Sequence, residues 1–143
     1  MPIFVNYIIR VNWDLLGENN MEKVITINNW WDGPLLGLAN YNGLVCIYEK
    51  IFDETIDEYI DEYYLTPIDD YEKDEIMLEW KKWCNAFLSG NSDSFYQECL
   101  NNDSISKALI NSNSKRKYRK KARFHGQFDN GFIPVDYHVE WYI

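Results

Sequence analysis

Apolar and polar positions alternate from Val24 to Trp30 (VITINNW), the period-two signature of a strand with one buried face. Asp32-Gly33-Pro34 then marks a turn, with Pro34 removing a backbone donor at the start of the next segment. LLGLANY and LVCIYEKIF flank Asn42-Gly43, the dipeptide that supplies the positive φ angles of a two-residue type I′ hairpin. Glu62–Ile68 (EYYLTPI) reads as a further strand, ended by Pro67 and the Asp69-Asp70 pair. From there the period changes. Ile76, Met77, Trp80, Trp83, Cys84, Phe87 and Leu88 recur at helical spacing, Asp69 and Glu72 have the spacing of a capping box, and Gly90 stands as the stop. A second helix is expected from Asp93 or Ser94, with Phe95, Cys99 and Leu100 on its apolar side. A short third one runs over Ser104–Asn111 around Ile105, Ala108 and Leu109.

ARFHGQF and YHVEWYI, separated by the turn-rich DNGFIP, return the chain to strand. Pairing Asp129 with Asp136 sets Phe124, Gly126, Phe128, Tyr137, Val139 and Trp141 on one apolar face. Strands, then helices, then a closing hairpin define an α+β fold. The expected architecture is an antiparallel sheet, an N-terminal meander plus a C-terminal hairpin, packed on one face against two or three helices. Residues 21–143 are expected to form a single domain. Two readings compete for residues 1–20. Phe4–Val11 (FVNYIIRV) has the pattern of an edge strand, whereas Gly17-Glu18-Asn19-Asn20-Met21 can be encoded as a purine-rich ribosome-binding site before a start codon. In the second reading the leader is translated non-coding sequence and the natural start is Met21.

At 143 residues, 46% hydrophobic and 17% aromatic, the chain has the composition of a folded domain and not of a disordered one. No apolar run approaches the roughly 20 residues of a membrane helix, and the N-terminus lacks a basic n-region. Cys46, Cys84 and Cys99 are odd in number and show no CxxC spacing, which argues against a disulfide framework and a structural zinc site. A cytoplasmic protein without a cofactor is the expectation.

The net charge of −9 conceals segregation. Thirteen carboxylates lie between Glu49 and Glu79 against only Lys50 and Lys73, a local charge of −11, while seven of the nine residues Lys115–Arg123 are basic. Within the acidic stretch DETI-DEYI-DEYY repeats a four-residue unit, which keeps Asp53, Asp57 and Asp61 on one face in either an extended or a helical backbone. Asp53, Glu54, Asp57, Glu58, Asp61 and Glu62 are therefore candidates for a surface that presents spaced carboxylates to a basic partner, imitating a phosphate backbone. The alternative is a solvated face that maintains solubility. Calcium is disfavoured, because the EF-hand ligand order and its central glycine are absent.

Lys115, Arg116, Lys117, Tyr118, Arg119 and Lys120 could grip phosphates and stack a base. Against that, the run leads into a strand, so part of it must alternate across the sheet; it reads equally as a solvated linker and edge strand whose lysines discourage sheet-to-sheet pairing, or as an internal complement to the acidic segment. Trp30, Trp31, Asp32, Gly33 and Pro34 form a motif that reads first as a structural bend and second as a ligand contact at Asp32. In strand geometry the two tryptophans point to opposite faces, one to the core and one to an edge or groove. The register above sets His125 opposite Glu140 with His138 diagonal to them, a polar face that could hold a metal or move protons. No nucleophile or metal motif accompanies it.

WWDGPLLGLANYNGLVCIYE, followed by LTPI, by a helix carrying LEWKKW and by a terminal VEW, resembles an uncharacterised family of small bacterial proteins. The shared pattern is Trp-aromatic-Asp-Gly-Pro, Gly-x-Ala, an aromatic before Asn-Gly, and a Tyr-Glu strand. The resemblance implies no activity and covers Val24 to the C-terminus. Taken together, the residues point to a non-enzymatic acidic binding or inhibitor protein of the immunity or counter-defence type. Its partner would be a basic protein, nucleic-acid-binding proteins included. Nucleic-acid binding through 115–123 and a metal-dependent enzyme on His125, His138 and Glu140 are the competing classes; no membrane partner is expected.

Overall fold

Asn42 and Gly43 take φ angles of 51° and 83°, and Tyr41 pairs directly with Leu44, so the predicted two-residue hairpin forms as expected. It joins β3 (Pro34–Tyr41) to β4 (Leu44–Asp53). The computed structural model describes residues 21–88, 102–112, 115–129 and 133–143. Within these, β1 (Met21–Lys23), β2 (Asn29–Trp30), β5 (Glu58–Pro67), β6 (Tyr118–Asp129) and β7 (Ile133–Tyr142) complete a seven-stranded antiparallel sheet ordered β1-β7-β6-β5-β4-β3-β2. Two helices, α1 (Asp70–Leu88) and α2 (Asp103–Asn111), lie between β5 and β6 in the chain. The α+β antiparallel expectation holds. The helix expected from Asp93 or Ser94, the Gly90 stop and the leader or edge strand of residues 1–20 lie outside the described residues.

The expected strand Val24–Trp30 is not one strand. Residues 21–23 pair with β7, and the Val24 amide donates to the Tyr137 carbonyl at 3.0 Å. Val24 also bridges Ala39 on β3, and the amides of Ile25, Thr26 and Asn28 continue along β3 by donating to Leu38 and Leu36. One segment therefore spans both edges of the sheet, which curls into a barrel-like closure that leaves little free edge. Side chains reinforce the seam: the Trp141 indole donates to the Asn40 carbonyl at 3.0 Å, and the Asn42 amide donates to Glu22 at 2.7 Å.

The seam depends on Gly37. A Cβ there would collide with the Thr26 carbonyl oxygen and stand 2.6 Å from the Tyr48 hydroxyl, which itself donates to that carbonyl at 2.8 Å. Thr26 and Asn28, both buried, satisfy each other, and the Thr26 hydroxyl accepts the Leu38 amide at 2.9 Å.

The two faces of the sheet carry different cores. Inside the curl, Tyr48, Tyr63, Phe124, Tyr137 and Trp141 pack with Val24, Ile27, Ala39, Cys46 and Val139. Ring centroids 5.5 Å apart for Tyr63–Phe124 and 5.8 Å for Tyr63–Trp141, at edge-on angles, suit aromatic quadrupoles. On the outer face Leu38 and Ile47 join Ile76 of α1 with Ile105 and Ala108 of α2. The capping box of α1 forms: the Asp69 amide donates to Glu72 at 3.0 Å and the Glu72 amide to Asp69 at 2.8 Å. No helix among the described residues is long and apolar enough to cross a membrane.

Phe124, Tyr137, Val139 and Trp141 of the closing hairpin face the inner core as expected, the Phe128 side chain lies outside the described residues, and the register differs. Arg123 pairs with Glu140, Phe124 with Val139, His125 with His138 and Gly126 with Tyr137, two residues away from the expected pairing. A bulge between Gln127 and Phe128 shifts the ladder, and a two-residue shift preserves which side chains face inward.

Candidate functional site

The acidic repeat is neither a stripe on one strand nor a helix. Asp53 ends β4, residues 54–57 turn, and β5 begins at Glu58, earlier than the Glu62 expected from the sequence. Asp53 accepts the Thr55 amide at 2.9 Å and the Thr55 hydroxyl at 2.6 Å. These bonds shape the turn and hold the Asp53 carboxyl below its ordinary value. Asp57 occupies the left-handed region at φ 56°. Glu54, Asp57, Glu58 and Asp61 are exposed, and among the described residues none of the four makes an ion pair. Exposed hydrophobic residues gather at the same tip: Phe52, Ile56 and Tyr59, with Phe52 and Tyr59 in edge contact at 5.0 Å.

The tryptophan motif is brought against this tip. Trp30 is half-buried on the inner core, whereas Trp31 is 70% exposed, the division expected for adjacent strand positions. The bend is held from within. The Trp31 amide donates to the Gly33 carbonyl at 2.9 Å, and the buried Tyr63 hydroxyl donates to the Pro34 carbonyl at 2.6 Å. Asp32 at φ 53° and Gly33 at φ 130° supply the backbone shape. Between the bend and the tip lies a cleft of about 290 Å³ lined by Trp31, Asp32, Lys50, Phe52, Asp57, Glu58 and Tyr59. A groove of about 420 Å³, lined by Asn29, Trp30, Leu35 and again Trp31 and Tyr59, adjoins it. Sequence reasoning singled out Trp31, Asp32 and the carboxylates separately. It missed Tyr59, Phe52 and Lys50, whose place in the cleft depends on how the hairpin tip folds toward the bend.

The basic run is arranged differently. Arg116 meets Glu49 at 3.2 Å, Arg119 meets Glu62 at 2.7 Å and Arg123 meets Glu140 at 3.2 Å. The Arg116 and Arg119 guanidinium carbons also lie 5.0 and 6.0 Å from the Tyr64 ring centroid, and Arg123 lies 4.9 Å from that of Tyr142. Glu62, one of the acidic candidates, thus belongs to this internal network. Tyr118 packs on Tyr41 at 5.0 Å and Lys120 lies 5.7 Å from the Tyr41 ring, while Lys115 and Lys117 are exposed. Alternation along β6 sends Tyr118 and Lys120 to one face and Arg119, Lys121 and Arg123 to the other, where both arginines meet a carboxylate.

The histidine constellation does not assemble as the expected register required. His125 faces His138, not Glu140, and Glu140 is engaged by Arg123. His138 Nδ1 lies 3.5 Å from Asp136 Oδ1. Among the described residues no three His, Cys, Asp or Glu side chains are grouped to hold a metal ion. Comparison with family models, with curated proteins and with solved structures gives no match.

Proposed function

We propose that this is a non-enzymatic binding or inhibitor protein that engages a basic protein partner through the β4–β5 tip, in the manner of an immunity or counter-defence factor. The observation that carries the reading is the unequal disposition of charge. The arginines of the basic run are engaged by Glu49, Glu62 and Glu140, while the tip carboxylates Glu54, Asp57, Glu58 and Asp61 remain in solvent beside exposed aromatic rings. Carboxylates so placed steer a cationic partner, and aromatic anchors supply the apolar contact that holds it.

The test neutralises Asp53, Asp57 and Asp61 to Asn. Partner proteins captured from lysate of the source organism should associate more slowly with the triple variant, and the salt dependence of association should flatten. Equal binding by parent and variant at low salt would reduce the tip to a solubility device and end the proposal.

A further inference from the structure

We infer that the groove beside Trp31 seats an arginine side chain of the basic partner, an inference that rests on the binding reading above. The groove is chiefly apolar, with Trp30, Trp31, Leu35 and Tyr59 around it, and it opens onto the carboxylate-lined cleft. An indole left 70% exposed is a contact surface awaiting a cover, whereas its neighbour Trp30 packs against the inner core. The backbone that presents Trp31 is fixed by the bonds to the Gly33 and Pro34 carbonyls, so little freedom is lost when a ligand arrives.

Charge selects the occupant. Asp32, Asp57 and Glu58 face the cleft against the single ammonium of Lys50, which lies 5.8 Å from the Tyr63 ring centroid. A cation is therefore favoured where the apolar groove meets the cleft. Arginine fits better than lysine. A planar guanidinium stacks on an indole or phenol face and still directs its N–H edge to carboxylates, whereas a compact, strongly hydrated ammonium satisfies one requirement at the expense of the other.

The experiment titrates the full chain at low salt with capped hexa-arginine and hexalysine peptides, by calorimetry. The parent should bind hexa-arginine at least tenfold more tightly than hexalysine. Trp31→Ala should lose that preference, Trp31→Phe should retain part of it, and Tyr59→Leu should weaken it as an independent check; thermal melting confirms that each variant is folded. If Trp31→Ala keeps both affinity and preference while the Asp53, Asp57, Asp61 to Asn variant loses binding, the groove is not the seat and the acidic-surface reading alone survives. If neither variant changes binding, both readings fall.

Discussion

Glu49 receives both Nε and an Nη of Arg116, at 3.2 and 3.3 Å, and Arg116 reaches it from a left-handed backbone at φ 44°. The Arg116 amide meanwhile donates to the Thr66 hydroxyl at 2.8 Å. A non-glycine residue in that region costs on the order of 1 kcal/mol, so the pair and the amide bond together hold a conformation the residue would otherwise leave. The two oppositely charged parts of the sequence are thereby joined across β4, β5 and the entry to β6.

Releasing that join should expose a latent basic surface. Glu49→Gln with Glu62→Gln should elute from heparin at higher salt than the parent, because Arg116 and Arg119 lose their counter-charges. Stability should change little, since the guanidiniums are more than half exposed and solvent screens them. Unchanged elution would show that the carboxylates do not mask the arginines.

The adjacent tryptophans should separate stability from binding. Trp30→Ala should destabilise by about 2 kcal/mol through lost packing on the inner core, and Trp31→Ala by less than ~0.5 kcal/mol. Urea unfolding of both variants measures the difference. Gly33→Val, at φ 130°, should cost about 1–3 kcal/mol from backbone strain, the Lys50 ammonium standing 3.9 Å from the added atom.

Gly37→Ala should be among the most damaging single-methyl additions. The new carbon would strike the Thr26 carbonyl and force the closing segment off β3, at a cost of roughly 2–3 kcal/mol or more. Tyr48→Phe removes one buried hydrogen bond at the same place and leaves the Thr26 carbonyl short of a donor, for about 1–2 kcal/mol. If Gly37→Ala melts with the parent, the seam is not as tight as its geometry requires.

Alkali should unfold the protein through its interior. Burial, then the charge of Glu22, pushes the Cys46 thiol up to about 12, and burial pushes the Tyr137 hydroxyl up to about 12. Tyr48 and Tyr63 are raised as well, chiefly by burial. The unfolded chain releases these protons from the ordinary values of 9.0 for the thiol and 10.0 for the phenols. The stabilisation is therefore complete below pH 9 and declines as pH rises toward 12, by at most about 1.4 kcal/mol per pH unit for each group. Cys46→Ala should shallow the decline, as read from urea midpoints across the alkaline range; an identical slope would place the thiol in solvent.

Replacing His125 and His138 together by Gln should leave the melting temperature almost unchanged, because His125 is exposed and His138 only half-buried. Added zinc should shift the midpoint of the parent no more than that of the double variant.

Local chemistry was legible in the sequence and long-range pairing was not. Asn42-Gly43, the Asp69–Glu72 box and the apolar stripe from Ile76 to Phe87 act within a few residues, so their pattern carries its own geometry. The turn between Asp53 and Glu58 has no Gly or Pro, and its regular spacing of carboxylates concealed it. The hairpin register moved because the turn closes Asp129 on Ile133 and not on Asp136; the bulge after Gln127 recovers one of those three residues, and neither feature leaves a trace in alternation. Of the cleft, Trp31 and Asp32 were visible, while Phe52 and Tyr59 enter it only through the fold.

The Val24 amide that donates to Tyr137 belongs to the first described segment of the chain and waits for one of the last. Ordered contacts over so long a loop are slow to form, and during synthesis from the N-terminus the acceptor does not yet exist. β3 and β4 can zip around Asn42-Gly43 as soon as they emerge. Residues 21–28, made earlier, can dock fully only when β6 and β7 arrive, so the first described segment made is among the last to settle.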